Sequence, residues 1–293
     1  MSYSNPNLLI EPEALAARLA DARASGNLRV LDATVFLVPA KTGYRAESGL
    51  EKYQEGHVPG AAFMDLIQAF SDTSTGLGFS LPTADALATA LGALGVGNDD
   101  DVVLYATGHM MWATRAFWLL RYAGHDRVAV LNGGFAAWRD AGLPVETGSA
   151  SYPQATYVAQ PRPALFVDKA AMLDAMGAAG VCTVNALSPA VYEGTGDHHY
   201  GRRGHIPGSR NLFYDQLMDG QRFRPADELR AALGTTGMLD AERVITYCGG
   251  GISATIDAFA CLLVGKESVA VYDGSMSEWV RDEALPLVTG SAP

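Results

Sequence analysis

The chain has only three cysteines, Cys182, Cys248 and Cys261. They are too few and too widely spaced for a disulfide framework or a cysteine-rich zinc site. In a reducing compartment each is therefore either a buried thiol or a reactive one. Because Cys182 lies in a predicted buried strand and Cys261 in a predicted apolar helix, we expect both to be core residues.

Long apolar runs and an export signal are also missing. No stretch approaches the roughly 18 apolar residues that a membrane-spanning helix requires, so no membrane partner is expected. The first residues, MSYSNPNLLIEPEALA, have neither the basic start nor the apolar core of a secretory signal. The sequence therefore predicts a cytoplasmic location.

Basic residues are in deficit. The chain has 21 Lys and Arg against 32 Asp and Glu, which gives a formal net charge of −11. Binding a nucleic acid needs a surplus of positive charge, so a nucleic-acid partner is not expected. A small anionic substrate is compatible with this charge only if its site is locally positive.

A long-period duplication organises the 293 residues. The segment GHVPGA at 56–61 recurs as GHIPGS at 204–209, and residues 102–138 are echoed by residues 243–279. Matched blocks in the same order indicate two copies of one domain.

The segment 149–166 between the two copies contains three prolines and has little periodicity. Such a segment is typical of an extended linker. We therefore predict an N-terminal domain over residues 1–154 and a C-terminal domain over residues 155–293.

Within each copy, short apolar strands alternate with amphipathic helices. This alternation predicts an α/β fold, in which each domain has a parallel sheet with helices on both faces. In such sheets the active site lies beyond the carboxyl ends of the strands. The predicted strands are 28–31, 102–105, 128–131, 181–184, 244–247 and 269–272, and the main predicted helices are 11–22, 83–95, 109–122, 227–233 and 254–264.

The predicted strand 244–247 leads directly into Cys248, which is followed by Gly249, Gly250, Gly251, Ile252 and Ser253 and then by a helix. Three glycines allow a tight turn in which several amide N–H groups converge on one point at a helix N-terminus. Such an anion-binding loop stabilises a thiolate, a persulfide or an anionic donor. The sequence therefore predicts Cys248 as a nucleophile and Ser253 as the cap of the helix.

The first copy provides an internal comparison. Tyr105-Ala106 aligns with Tyr247-Cys248, so an alanine stands where the second copy has its thiol. We therefore expect a catalytic C-terminal domain and an inactive N-terminal domain.

The duplicated Gly-His-(Val/Ile)-Pro-Gly motif, the Cys248 loop, and the segment VYDGSMSEW at 271–279 together resemble the tandem-domain rhodaneses. This family includes the thiosulfate and 3-mercaptopyruvate sulfurtransferases. The resemblance implies an active site at the domain interface and a sulfurtransferase that needs no metal and no cofactor. It also implies a ping-pong reaction, in which a small anionic donor gives sulfane sulfur to Cys248. The persulfide then passes the sulfur to cyanide, a thiol or a protein.

Arg202 and Arg203 lead into the second Gly-His-Ile-Pro-Gly motif, and the resemblance implies that arginines there hold the anionic donor. His57 and His205 occupy matched positions in the two motifs. We expect His205 to be structural, whereas the resemblance leaves proton transfer open for His57. His198-His199 is predicted to be a polar loop rather than a metal site.

The sequence leaves the donor open between thiosulfate and 3-mercaptopyruvate. Thiosulfate-specific relatives commonly have basic residues directly after the cysteine, and here Gly249 and Gly250 stand there. The mercaptopyruvate type usually has a serine where this chain has Gly250. Neither pattern is therefore complete.

Two other function classes are weighed against sulfur transfer. A phosphatase or arsenate reductase would need an arginine six residues after the cysteine, and this position is Ala254, which excludes that class. The alternative is a catalytically silent rhodanese-like binding module. It would require Cys248 to be unreactive.

Overall fold

The computed structural model describes residues 2–40, 43–198 and 200–293. They form two α/β domains, each built on a five-stranded parallel sheet. This confirms the predicted fold class. None of the described helices is long and apolar enough to cross a membrane.

The N-terminal strands are β1 (Leu9–Ile10), β2 (Leu28–Asp32), β3 (Val35–Pro39), β4 (Tyr44–Ser48), β5 (Ala62–Phe63), β6 (Asp101–Tyr105) and β7 (Val128–Leu131). The N-terminal sheet has the strand order β1-β7-β6-β2-β5, and β3 and β4 form a separate antiparallel hairpin. The helices are α1 (Pro12–Ser25), α2 (Leu50–Glu55), α3 (Ala84–Ala93), α4 (Met111–Tyr122) and α5 (Gly134–Asp140).

The C-terminal strands are β8 (Phe166–Val167), β9 (Val181–Asn185), β10 (Arg210–Asn211), β11 (Met218–Asp219), β12 (Arg222–Phe223), β13 (Arg243–Tyr247) and β14 (Val269–Tyr272). The C-terminal sheet has the order β10-β9-β13-β14-β8, which corresponds to that of the N-terminal sheet, and β11 and β12 form a short hairpin. The helices are α6 (Lys169–Ala175), α7 (Pro189–Tyr192), α8 (Ala226–Thr235), α9 (Ala254–Leu263) and α10 (Ser275–Trp279).

The central strands explain why the sequence folds in this way. Residues 102–105 of β6 and 244–247 of β13 are all buried, as a strand covered by helices on both faces requires. The predicted strands and helices are confirmed within a few residues at their ends. The hairpin β3–β4 and the two-residue edge strands were missed, because such short segments have no clear apolar period.

The two domains pack through α4 and α9. The Thr114 and Thr255 hydroxyls are 2.7 Å apart and share a hydrogen bond in the buried interface. The rings of Phe117 and Phe259 meet edge to face, with centroids 4.8 Å apart. Residues of both domains belong to one continuous apolar core cluster. The sheet ends of both domains are therefore held in a fixed relation.

The linker predicted at 149–166 runs along the N-terminal domain. The amide of Ala155 donates to the Gly92 carbonyl (3.0 Å), and that of Gln160 donates to the Ala123 carbonyl (2.9 Å). The second sheet begins with β8 at Phe166. The boundary between residues 154 and 155 stays a prediction.

Candidate active site

Cys248 lies directly after β13, at the carboxyl end of the sheet, and is 2% exposed. Its surroundings form a cleft of about 1030 Å³ between the two domains, which we call the interdomain cleft. The N-terminal domain contributes the β3–β4 hairpin, residues 78–79 and the start of α4. The C-terminal domain contributes residues 197–198, 200–201, 248–250, 252–253 and Ser277. The predicted nucleophile therefore borders a cavity made by both domains.

Residues 248–253, here called the Cys loop, are anchored on one side by α10. The Cys248 amide donates to the Ser275 hydroxyl (3.1 Å), which donates in turn to the Tyr272 carbonyl (2.7 Å). The carbonyl of Cys248 accepts a hydrogen bond from the amide of Met276 (3.0 Å), and that of Gly249 accepts one from Ser277 (2.7 Å). These bonds fix the direction of the loop backbone.

The next amides of the Cys loop are left without acceptors. Within the described part of the chain, the amide N–H groups of residues 249–253 donate no hydrogen bond to another group. They precede the ten-residue helix α9, whose N-terminus also favours negative charge. This arrangement agrees with the anion-binding loop predicted from the sequence.

The capping role predicted for Ser253 is wrong. Ser253 stands at the N-cap position of α9, but its side chain makes no capping hydrogen bond. Its backbone is already helical, with φ −63° and ψ −27°, whereas a capping side chain needs an extended N-cap backbone.

Two of the three glycines lie at close approaches to other segments, Gly249 to a side chain and Gly251 to a backbone carbonyl. A Cβ on Gly249 would lie 2.0 Å from the Tyr200 hydroxyl oxygen. Gly251 has φ +71°, and a Cβ there would lie 2.5 Å from the Asp273 carbonyl oxygen. There is space for a side chain at Gly250, because the nearest neighbour of a Cβ there would be the Ser277 hydroxyl oxygen at 3.9 Å. The triple glycine therefore brings a phenol and the α10 segment against the Cys loop.

Arg115, on α4 of the N-terminal domain, is a site residue that sequence reasoning missed. Its guanidinium is buried and donates to the Asp273 carboxylate (2.7 Å), the Gly251 carbonyl (3.2 Å) and the Phe79 carbonyl (2.5 Å). The other Asp273 oxygen accepts from the amide of Leu81 (2.8 Å). Arg115 therefore joins the N-terminal domain to the Cys loop.

The Phe79 backbone is strained at this contact, with φ +63°, a region that favours glycine. Phe79 also lines the interdomain cleft and packs on Trp112, with ring centroids 5.0 Å apart. Asp273 is thus the acceptor of an interdomain ion pair. A charged residue inside the apolar run WATRAFWLL was the signal available in the sequence.

The structure does not bring Arg202 and Arg203 to the interdomain cleft. Arg202 donates to the Asp282 carbonyl (3.1 Å), and Arg203 donates to the carbonyl of Gly196. Neither is among the described residues that line the cleft. Both guanidiniums donate hydrogen bonds to backbone carbonyls instead. Their position therefore does not support the predicted contact with the sulfur donor.

His57 and His205 occupy matched positions in the two domains, but their rings differ at Nε2. That atom of His205 lies 3.1 Å from the Ala292 carbonyl oxygen, whereas that of His57 is buried without a hydrogen-bond partner among the described residues. Each ring donates from Nδ1 to a tyrosine carbonyl at 2.9 Å, Tyr53 for His57 and Tyr192 for His205. Each ring also stacks on that tyrosine, with centroids 4.2 Å and 3.6 Å apart. Both histidines are fully buried, and neither is among the described residues of the cleft. The structure therefore does not bring His57 to Cys248.

The other cysteines do not reach the cleft. Cys261 is fully buried in α9, and burial raises the pKa of its thiol. Cys182 is only half-buried, although a core position was expected, because its strand β9 begins near the protein surface. Its thiol donates to the Thr236 carbonyl at 3.3 Å. Among the three cysteines, only Cys248 borders the cleft.

Aromatic side chains form much of the cleft wall. Tyr200 and Tyr44 both contact the ring of His198, with centroids 4.9 Å and 5.6 Å away. Burial and, second to it, the nearby Cys248 raise the pKa of the Tyr200 hydroxyl, which therefore stays protonated. His198 lies in the loop predicted to be polar, while His199 lies outside the described residues.

The fold and the site define a duplicated α/β protein in which the C-terminal domain has Cys248 at the end of its central strand, where the N-terminal domain has Ala106. A sequence model of the rhodanese-like domain matches residues 15–141 and 185–282. The chain belongs to the rhodanese family of sulfurtransferases. This confirms the family and the enzyme class that the sequence motifs predicted.

Individual relatives are similar to this protein over most of its length. A probable 3-mercaptopyruvate sulfurtransferase of Pseudomonas aeruginosa is 34% identical, and the alignment covers 96% of this chain and 98% of the relative. A putative thiosulfate sulfurtransferase of Mycobacterium tuberculosis is 34% identical, with 83% and 87% covered. The crystal structure of SseA, a 3-mercaptopyruvate enzyme of Escherichia coli, superposes with a TM-score of 0.79 at 29% identity, covering 92% of this chain and 98% of SseA.

Proposed function

We propose that this chain transfers sulfane sulfur from 3-mercaptopyruvate, or less readily from thiosulfate, to a thiophilic acceptor through a persulfide on Cys248. The observation that carries the proposal is the position of Cys248. Its thiol borders the interdomain cleft, beside a run of loop amides without acceptors and the N-terminus of α9.

In the first half-reaction the Cys248 thiolate attacks the sulfane sulfur of the donor. A new S–S bond forms, and the bond that held this sulfur in the donor breaks with its electron pair leaving on the donor fragment. The product is a persulfide. The amides of residues 249–253 stabilise it, because they are preoriented donors that need no rearrangement as charge moves to the outer sulfur.

In the second half-reaction an acceptor nucleophile attacks the outer sulfur. The S–S bond breaks, and its electron pair returns to Cys248 as thiolate. Cyanide would become thiocyanate, and a thiol would become a persulfide. Cyanide, a thiol or a protein stays the predicted acceptor class, and a cytoplasmic location stays a prediction.

The N-terminal domain contributes residues that line the interdomain cleft but no nucleophile. The amide of Phe135 donates to the Ala106 carbonyl (3.2 Å), just as that of Met276 donates to the Cys248 carbonyl (3.0 Å). The backbone arrangement is thus repeated, but Ala106 has no sulfur. Trp112 and Met111 of this domain enclose the cleft instead.

We expect 3-mercaptopyruvate to be the better donor. The cleft walls include Phe79, Trp112, Met111 and Ile252, which suit a singly charged keto acid with a carbon skeleton better than a compact dianion. The relative at 34% identity over 96% of the chain is named for the same donor. We therefore predict a kcat/KM at least about tenfold higher than with thiosulfate, which corresponds to ~1.4 kcal/mol.

The measurement is initial-rate sulfur release to cyanide with each donor over a range of concentrations. Cys248→Ala, assayed in parallel, gives the rate of sulfur release that does not depend on the Cys248 thiol. Equal or reversed kcat/KM values would contradict the donor preference and leave the persulfide mechanism intact. If the protein released sulfur from neither donor, this result would contradict the proposed function and favour the catalytically silent binding module.

A further inference from the structure

A tyrosine hydroxyl lies directly over the Cys loop. A Cβ on Gly249 would be 2.0 Å from the hydroxyl oxygen of Tyr200 and 2.1 Å from its Cζ atom. The tip of the phenol therefore occupies the space above the residue that follows Cys248. Tyr200 and Cys248 also line the same cleft.

The ring of Tyr200 is held in place by packing. It contacts the apolar cluster of the C-terminal domain that includes Ile206, Met276 and Trp279. On another side its ring meets His198 edge to face, with centroids 4.9 Å apart. The hydroxyl is thus a preoriented, protonated donor beside the nucleophile.

The two candidate donors differ in their need for an acid. When 3-mercaptopyruvate gives up its sulfur, the C–S bond breaks and leaves the enolate of pyruvate, whose carbon must gain a proton. When thiosulfate gives up its sulfur, the leaving group is sulfite, which needs no proton. The first three residues after Cys248 are glycines, so they offer no side-chain acid.

We propose that the Tyr200 hydroxyl is the acid that protonates the enolate carbon when the donor is a keto thiol such as 3-mercaptopyruvate. This inference rests on the proposed function of Cys248. It makes Tyr200 a catalytic residue that determines which donor class is used.

The reaction needs no further proton donor or acceptor. The Cys248 thiolate forms the S–S bond, and the thiol proton of the donor stays on the outer sulfur. Tyr200 gives its proton to the enolate carbon, which yields pyruvate and a tyrosinate. The tyrosinate then takes the proton from the outer sulfur, which leaves a deprotonated persulfide beside the loop amides.

The direct test is Tyr200→Phe, which removes the hydroxyl and keeps the ring. We expect kcat with 3-mercaptopyruvate to fall by about 10² to 10³, as loss of a general acid does, while the thiosulfate rate stays at the wild-type value. Tyr122→Phe, a tyrosine outside the cleft, is the matched control and should leave both rates unchanged.

Loss of rate with both donors to the same extent would overturn the proposal, because it would mean that Tyr200 only shapes the cleft. An unchanged rate with both donors would overturn it as well. If wild type itself turns over neither donor, the proposed function fails, and the inference fails with it. The two failures are therefore distinguishable.

Gly249→Ala supplies an independent variant. Its added methyl group would displace the phenol, so we expect the ratio of the 3-mercaptopyruvate rate to the thiosulfate rate to fall as in Tyr200→Phe. In the double variant this ratio should fall no further, because both changes remove the same contribution. Additive losses in the double variant would contradict the proposal.

Discussion

Replacing Cys248 by alanine is expected to abolish sulfur transfer with either donor. The predicted loss in kcat is about 10³-fold or more, the size seen when a covalent nucleophile is removed. The physical reason is that the loop amides can still attract an anion, but no atom is left to accept its sulfur. The measurement is cyanide-dependent thiocyanate formation at saturating donor.

Cys182→Ala is the matched control for this change. Cys182 is half-buried in β9 and makes one hydrogen bond, to the Thr236 carbonyl. Because it does not line the cleft, sulfur transfer should be retained. Comparable activity of Cys248→Ala and Cys182→Ala would mean that Cys248 is not the sulfur carrier.

Arg115→Met is expected to destabilise the protein and to disable the Cys loop. The side chains of Arg115 and Asp273 are 1% and 18% exposed, so the substitution leaves a largely buried carboxylate without its counter-charge. It also removes the donors to the Gly251 and Phe79 carbonyls. Removing one partner of a buried ion pair typically lowers the free energy of unfolding by about 3 to 5 kcal/mol.

Chemical denaturation followed by fluorescence measures the stability loss. Persulfide formation, measured under conditions in which the variant remains folded, reports on the loop. Arg18→Met is the matched control, because Arg18 pairs with Asp101 at the surface and its side chain is 42% exposed. Such a pair contributes about 0 to 1 kcal/mol, so similar losses in the two variants would contradict the role assigned to Arg115.

The sequence predicted the elements whose pattern repeats along the chain. Apolar runs such as 102–105 and 244–247 identify central strands, because both faces of these strands are buried. The duplicated motif identified two domains. The contrast between Ala106 and Cys248 pointed to the C-terminal domain as the catalytic one, which stays a prediction.

The rest depends on contacts between distant segments. Arg115 and Asp273 are 158 positions apart, and only the packing of α4 beside the Cys loop brings them together. The approach of Tyr200 to Gly249 likewise depends on how a loop folds over the sheet end. Neither pairing follows from local spacing or periodicity.

The roles expected for Arg202, Arg203 and His57 came from family resemblance rather than from the physical properties of this chain. In this structure the two arginines bond backbone carbonyls, and His57 is buried against Tyr53. A motif fixes the local backbone, but the direction of a long side chain depends on its neighbours. Their part in catalysis stays a prediction.

The most direct test of the persulfide mechanism is to measure the mass of the protein after brief exposure to 3-mercaptopyruvate and then to map the added sulfur to a peptide. We predict that wild type gains the mass of one sulfur atom, that the added sulfur maps to the peptide containing Cys248, and that cyanide removes it. Cys248→Ala should gain no sulfur. Sulfur on Cys182 or Cys261 instead, or no addition to wild type, would contradict the persulfide mechanism.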